Sequence, residues 1–563
     1  MARTTSGGFS IIHLYMAHGL RSRIAVTPHL LSLGCSPRPS KTGRGSRLIG
    51  AGLFGSVIII AGLWFVLNSP KAIEKHTEVA VEPRISPDYS DIVIPPNIAP
   101  INFRILEQGQ QYFAKVYVDG DKTIDIFIKT GQVRIPLREW RDMLKSNKGN
   151  KIIFDIYVKN AEHGWRKFQS ISNTIAEDDI DGYVVYRLMK PVFNWWKSIG
   201  IYQRNLVSYD ESLVMHGRSF GEGCLNCHSF VGNAPNTMTI GLRSAVYGSS
   251  TLLIQNGAVS KIGSKWGYTS WHPSGSLAVY SINKVRQFFH TGRMEVRDVA
   301  DLDSALVCYM VEGRKAVCPA QLSEKNRLET YPTWSPDGKY LYYCSGPVLW
   351  KDRDTIPPEN YEKLKYDLRR IRYDTRNNSW GQVETVLSAE ETGLSILLPR
   401  ISPDGKFLLF CMCEYGCFPA YQPSSDLYII DLSTGSYRRL AINSKYSESW
   451  HSWSSNSRWI AFSSKREDGL FTRTYLSYVD DDGKAHKPFI LPQRNPIYYD
   501  SLLETYSVPE LLGDRVRVRK SLLGRAARNK DSIAVDIPIT AATPKAEKSE
   551  PTQYPCRDWQ ERE

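Results

Sequence analysis

Apolar and polar positions alternate along most of this chain, in short runs with turn residues between them. From residue 101 the runs INFRI, YFAKVYV, TIDIFI, QVRIPL and KIIFDIYVK place apolar side chains at every second position, separated by turns such as Asp119-Gly120-Asp121. That spacing is the mark of half-buried strands. A helical spacing interrupts them over Leu137 to Lys148, and a further apolar stretch runs from Tyr183 to Gly200. The pattern predicts a small β-sandwich over residues 101–200.

A longer periodicity follows. WHPSGSLAVYS from Trp271, WSPDGKYLYYC from Trp334, ISPDGKFLLFC from Ile401 and WSSNSRWIAFS from Trp453 are four copies of one pattern. Proline presets φ at the first turn position, Asp or Asn bonds its own backbone, and Gly takes the left-handed position, so each copy reads as a hairpin turn. The strand after each turn repeats an aromatic at one place, namely Tyr280, Tyr343, Phe410 and Phe462, as stacked sheets with a shared core require. The copies lie 63, 67 and 52 residues apart, beyond the roughly 40–45 of a minimal four-stranded blade. A β-propeller with looped blades is expected over 251–512.

Leu48 to Leu67 is twenty residues without a charge, long enough at about 1.5 Å per residue to cross a hydrocarbon core of about 30 Å. Arg38, Lys41, Arg44 and Arg47 precede it, while Lys71 and Lys75 follow, so positive charge keeps the N-terminus cytoplasmic. The expectation is a cytoplasmic tail at 1–47, a transmembrane anchor at 48–68 and an extended, Pro- and acid-rich linker at 69–100. The formal charge of +13 does not signal nucleic acid, because seven Lys/Arg and no acid fall within residues 1–70, and seven more against Asp514 alone within 511–530. The middle of the chain is near neutral and offers no basic stripe for phosphates. Residues 513–563 read as a disordered basic tail.

Residues 201–250, rich in Gly, Asn and Ser, hold Cys224-Leu225-Asn226-Cys227-His228. In C-x-x-C-H two thiols reach the two vinyl groups of a haem while the adjoining imidazole faces the iron. With ten Cys and eleven His in 563 residues, random placement would produce it in only about four chains per thousand. A redox dithiol and half of a zinc site are the alternatives. The dithiol lacks its βαβ setting, and the zinc site lacks a second ligand pair, His216 being the one close candidate. Covalent haem c is therefore expected, with Cys224 and Cys227 as thioethers and His228 as proximal ligand. Met238 is the candidate sixth ligand, with Met215 and His216 in competition and plain packing as the alternative for Met238.

The SPDG-type repeats resemble the TolB-type β-propeller, and SESWHSWSSNSRWIAFSSKREDGLFTR, from Ser447 to Arg473, resembles TolB-like cytochrome proteins of Bacteroides-type bacteria. The likeness extends over about residues 85–512. It implies a mainly β protein: an N-terminal membrane helix, a small sandwich, a monohaem segment at 201–250 and a propeller. In that family a Met follows the haem motif at about this distance and a His often comes shortly after; here Gly241 and Leu242 stand in its place.

Of the other cysteines, Cys308 and Cys318 are spaced for a hairpin disulfide or are two core thiols. Cys413 and Cys417 are a weaker pair, and Cys344 and Cys411 share one repeat position and read as core. Cys35 precedes the span and should be reduced. No G-x-S-x-G elbow, H-E-x-x-H helix or phosphate loop occurs, and His272, His451, Asp337 and Asp404 read as structural parts of the repeat turns. The expected function is electron transfer by a periplasmic cytochrome anchored in a bacterial inner membrane, working with a periplasmic or membrane redox protein. It is read as a carrier rather than an enzyme with its own substrate. The alternative is a propeller that binds a ligand or assembles a complex, with its haem as a sensor.

Overall fold

The computed structural model describes residues 73–190, 198–352 and 354–535, and these described residues fall in one compact unit. The expected tail and membrane anchor lie outside the described residues, among which no helix is long and apolar enough to cross a membrane.

The amino-terminal part is a seven-stranded sheet facing a three-stranded one. The strand Lys151–Asn160 is its hub, pairing with Gln111–Tyr117, Gly164–Phe168 and Ile171–Ile175. Alternation buries Val116, Phe154 and Ile156 from the larger sheet against Phe103, Ile105 and Val133 from the smaller, with Trp140 of the helix Leu137–Ser146 in the same core. Residues 77–100, expected to be a free linker, belong to this domain. Thr77–Val79 and Val93–Ile94 add parallel strands to the larger sheet. Tyr89, Ile92, Ile94 and Ile98 are buried, and this apolar spacing outweighs the Pro-rich composition that suggested a tether.

The rest is a ring of six four-stranded antiparallel sheets. Blades 2 to 6 are sequential: 224–262, 269–317, 327–387, 395–439 and 448–490. Blade 1 combines Tyr183–Met189, Gly200–Asn205 and Glu211–His216 with the C-terminal strand Thr505–Leu512, which becomes its innermost strand. Each innermost strand touches the next in order, and that of blade 6 returns to Thr505–Leu512. The ring thus begins at Tyr183 rather than 251, and the segment 201–250 is not a separate unit but most of blades 1 and 2. Blades 3 to 6 are the four visible copies. Blades 1 and 2 lack the SPDG turn, the first hairpin of blade 2 closing through Gly232-Asn233 with Val231 opposite Ala234.

The repeat turns are built as expected. Asp337 accepts from the Lys339 amide at 3.1 Å and from the Ser335 hydroxyl at 2.6 Å, and Asp404 does the same for Lys406 and Ser402. Tyr280, Tyr343, Phe410 and Phe462 are all fully buried between blades. His272 accepts from or donates to Ser274 at 2.7 Å and meets the Gly338 carbonyl at 3.2 Å, so it ties the turn of blade 3 to that of blade 4. The amino-terminal domain docks on blade 6. Trp459 Nε1 donates to the Asp178 carbonyl at 3.1 Å, Tyr478 hydroxyl to the Asp178 carboxylate at 2.9 Å and the Ser455 amide to Asp181 at 2.9 Å.

Part of the expected disordered tail is ordered. Lys520–Arg528 is a helix whose Leu523 and Ala527 enter the core between blades 1 and 2. The Lys261 ammonium donates to the carbonyls of Ala527 at 3.1 Å and Asn529 at 2.6 Å. The Leu-x-x-x-Ala spacing supplies an apolar stripe that composition alone hid. Residues 536–563 lie outside the described residues.

Since Leu512 closes the ring and is fully buried in the core of blades 1 and 2, Leu512→Ala is expected to lower the unfolding free energy by about 3 kcal/mol. A shift of the chemical unfolding midpoint with an unchanged slope checks it.

Candidate functional site

The six innermost strands surround an axial cavity of about 40 Å³, lined from all six blades by residues that include His228, Thr269, Pro332, Arg400, His451 and Glu510. A recurring irregularity shapes it. In blade 4 two residues, Tyr331 and Pro332, fall between the register pairs Thr330–Cys344 and Thr333–Tyr342; in blade 5 Leu398 and Pro399 do so between Leu397–Cys411 and Arg400–Leu409. Blade 6 carries the same slip at Trp450, between Ser449–Ser463 and His451–Phe462. Tyr331, Leu398, Trp450 and Val508 each adopt left-handed backbone, with φ of 52°, 54°, 39° and 52°. Such bulges turn a strand and re-aim its side chains, here towards the axis.

The cysteine motif sits at this feature. Cys224–Val231 is the innermost strand of blade 2, and Asn226 and Cys227 fall between the pairs Leu225–Leu242 and His228–Ile240, so that both oppose Gly241. A Cβ at Gly241 would lie 3.2 Å from Asn226 Cβ and 3.2 Å from the Trp266 carbonyl. Position 241 is therefore tightly enclosed, and a side chain there requires its neighbours to give by a few tenths of an ångström.

His228 is 2% exposed, and neither ring nitrogen makes a hydrogen bond of normal geometry. The carbonyls of Val185 and Val508 face it, while burial, with Arg187 and Arg400 nearby, pushes its pKa down to about 3. The imidazole is neutral, the form that ligates a metal. Leaving such a group unpaired costs about 1–3 kcal/mol. Cys224, also buried, donates to Asn226 Oδ1 at 3.4 Å and accepts from Arg243 at 3.8 Å, within the core of blades 1 and 2. Met238 is fully buried in the same core. It pairs with Phe230, as Ile240 pairs with His228, so Met238 and His228 project from one face of blade 2, side by side. Met215 is buried there too, and His216 accepts from the Arg218 amide at 3.1 Å, capping the turn Gly217–Phe220.

This donor set suits haem c: a free thiol at Cys224, a second cysteine three residues on, and an unpartnered neutral imidazole beside it. The free volume does not suit it. A cavity of about 40 Å³ holds about two or three waters, far below a macrocycle, and the motif is extended rather than coiled. A porphyrin on these residues requires the front of the strand to part from blade 1.

Two residues that sequence reasoning missed complete the axis. Arg400 donates to Glu510 at 2.5 Å. Burial raises the Glu510 pKa while Arg400 opposes that rise. Each follows a proline of an innermost strand, in LLPRIS and SVPELL, and a charge at that point of an otherwise apolar strand was the available signal. His451 holds the Leu409 carbonyl at 3.1 Å and lies 3.8 Å from the Cys411 thiol. Its ring, with that of Trp450, also lines the axial cavity. Cys224, Cys308, Cys318, Cys344, Cys411, Cys413 and Cys417 are unbonded thiols. Cys308 faces the core shared with blade 4 and Cys318 the opposite core, which prevents the hairpin disulfide.

Fold and site together define a six-bladed propeller, closed by its C-terminal strand and joined to an amino-terminal β-sandwich. No family model matches the chain, and no curated protein matches its sequence. Among solved structures it is similar to an oligogalacturonate lyase in complex with manganese, at 13% identity over 67% of this chain and 99% of that one, with a TM-score of 0.30. It is similar also to the β-propeller domain of the Trilobed protease from Pyrococcus furiosus, at 11% identity over 63% and 96%, TM-score 0.30. A third is Kuenenia stuttgartiensis hydrazine synthase, at 15% identity over 46% and 64%, TM-score 0.26.

Two outcomes test the packing. Gly241→Ala is expected to destabilise the fold by about 1–3 kcal/mol through the contacts with Asn226 and Trp266, measured as a lower denaturation midpoint. Burial pushes the pKa of His451 down to about 3, so below pH 6.5 the unfolded chain binds a proton that the folded ring refuses. Stability should then fall as pH drops from 6.5 towards 3, by up to about 1.4 kcal/mol per pH unit for this group. The His451→Gln protein should show a correspondingly shallower loss in unfolding titrations at pH 7 and pH 5.

Proposed function

We propose that the chain is a membrane-anchored, exported c-type cytochrome of the bacterial inner membrane. Cys224 and Cys227 hold one covalent haem, and His228 is its proximal ligand. The observation that supports the reading is a C-x-x-C-H motif whose histidine is buried, neutral and unpartnered at the propeller axis. When bound, the haem supplies one-electron exchange between Fe(III) and Fe(II). The chain's own residues do the rest. Burial between blades 1 and 2, with Arg187 and Arg400 adding to it, keeps the His228 ring deprotonated, and the propeller presents a rigid face to a periplasmic or membrane redox protein. Room for the ring comes from opening the seam between blades 1 and 2, with Met238 as the candidate for the sixth position. The axial cavity, small and ringed by polar and aromatic side chains from all six blades, favours a second reading, a propeller that binds a ligand or assembles a complex and does not relay electrons.

The full chain, expressed with a working haem-attachment system, is expected to give a pyridine haemochrome spectrum with one haem per chain, lost in the Cys224→Ser/Cys227→Ser protein. Colourless material with both thiols free to alkylate overturns the proposal in favour of the binding scaffold. Met238→Ala is expected to lower the potential or open the sixth site, and an unchanged spectrum and potential removes Met238 as ligand.

A further inference from the structure

We infer that the axial cavity is a binding site for a small carboxylate monoanion, of the size of formate or acetate, with Arg400 and His228 as its donors. This deepens the second reading above, a propeller that binds a ligand, and rests on it. Two histidines line the cavity, and they differ in one respect. His451 engages the Leu409 carbonyl through one ring nitrogen at 3.1 Å and turns the other to the Cys411 thiol at 3.8 Å. His228, 2% exposed, has neither nitrogen in a hydrogen bond of normal geometry. A neutral imidazole carries one N–H, and a buried donor that no protein group satisfies calls for a ligand or a water.

Arg400 supplies the charge. It reaches from blade 5 to Glu510 of blade 1 through a single nitrogen, at 2.5 Å, which leaves the other donors of the guanidinium fork open to a second carboxylate. With side chains 37% and 12% exposed, Arg400 and Glu510 stand where the cavity meets solvent, and that end is the way in. The sign of the ligand follows from the surrounding charges. Arg187, near His228, makes no ion pair among the described residues, its contacts being Ser507 Oγ at 3.3 Å and the Leu225 carbonyl at 3.5 Å. Two guanidinium groups thus face the one carboxylate of Glu510, and a positive charge is left over in a partly desolvated ring. Volume sets the size: about 40 Å³ holds about two or three waters, which is the bulk of a carboxylate with a hydrogen or a methyl group. Tyr268, Tyr331 and Trp450 close the inner end, the Tyr268 ring lying 4.1 Å from that of Tyr331 and 5.7 Å from that of Trp450. These rings receive the apolar tail. Their faces also suit an organic cation, which the excess of guanidinium charge opposes.

The test uses the full chain in detergent, expressed without haem attachment, and follows the NMR line width of carbon-13 formate. Saturable binding is expected with a Kd of about 1 mM, the range open to three heavy atoms. It should be about tenfold weaker or worse in His228→Leu and in Arg400→Gln/Glu510→Gln, which removes the ion pair without leaving one member alone. Arg458→Gln/Asp481→Asn, at an exposed pair of blade 6, should bind as the wild type does. In the wild type itself acetate should displace formate, and benzoate, too large for the cavity, should not. Equal binding in the wild type and both site variants, displacement by benzoate, or saturable binding of tetramethylammonium in place of formate overturns the proposal. So does a lack of saturation up to about 50 mM formate. The pyridine haemochrome spectrum of the chain made with haem attachment judges the ligand-binding reading separately: a haem on the chain removes that reading, while the formate titration of haem-free chain still upholds or overturns the site.

Discussion

The pairing of Thr505–Leu512 with Tyr183–Met189 is the constraint on which the rest of the structure depends. It joins residues more than three hundred positions apart, Tyr183 opposite Leu512 and Met189 opposite Thr505. Without it blade 1 lacks its innermost strand and the ring has two open sheet edges. Closure brings Val508 and Glu510 to the axis opposite His228 and Arg400, buries Leu512 against blade 2, and sets the direction in which the chain leaves towards the helix Lys520–Arg528. A contact of such sequence separation carries a loop-closure cost that only an extensive buried seam can offset. Tyr186 and Tyr506, with ring centroids 4.7 Å apart and planes tilted by 59°, are fully buried and part of that seam.

The bulges of the innermost strands explain why polar groups can occupy the centre of an apolar ring. A regular strand would send alternate residues strictly to one neighbouring blade or the other. Two residues opposing one breaks that alternation, and the left-handed conformation of Tyr331, Leu398, Trp450 and Val508 is the local cost. At the same feature of blade 2 stand Asn226 and Cys227, with His228 immediately after. The motif is therefore part of the repeat architecture and is not grafted onto a separate domain. This is why its histidine is buried at the axis of the closed ring.

Electrostatics follows the same division. Within the ring, charge is tolerated where it is matched, as in Arg400–Glu510 and in the buried pair Lys465–Glu295, at 2.5 Å in both cases. On the helix Lys520–Arg528 the charges stay in water, where holding them unpaired costs little, and their sum projects outward.

Much was legible from the chain alone. Period-two alternation located the strands of the sandwich and the helix at Leu137, and the Ser-Pro-Asp-Gly turns located blades 3 to 6, because those signals are local: backbone dihedrals and side-chain spacing act within a few residues. The C-x-x-C-H sequence likewise states its donor chemistry without any fold. What only the tertiary structure decided is non-local. Blades 1 and 2 have no proline turn to announce them, and the strand that completes blade 1 arrives from the far end of the chain. Residues 77–100 looked like a linker and 513–535 like part of a disordered basic tail by composition, and both become ordered because distant cores receive Tyr89, Ile94, Leu523 and Ala527. The burial of His228, its meeting with Arg400 and Glu510, and the tight fit around position 241 depend on which strands become neighbours, and no local pattern encodes that.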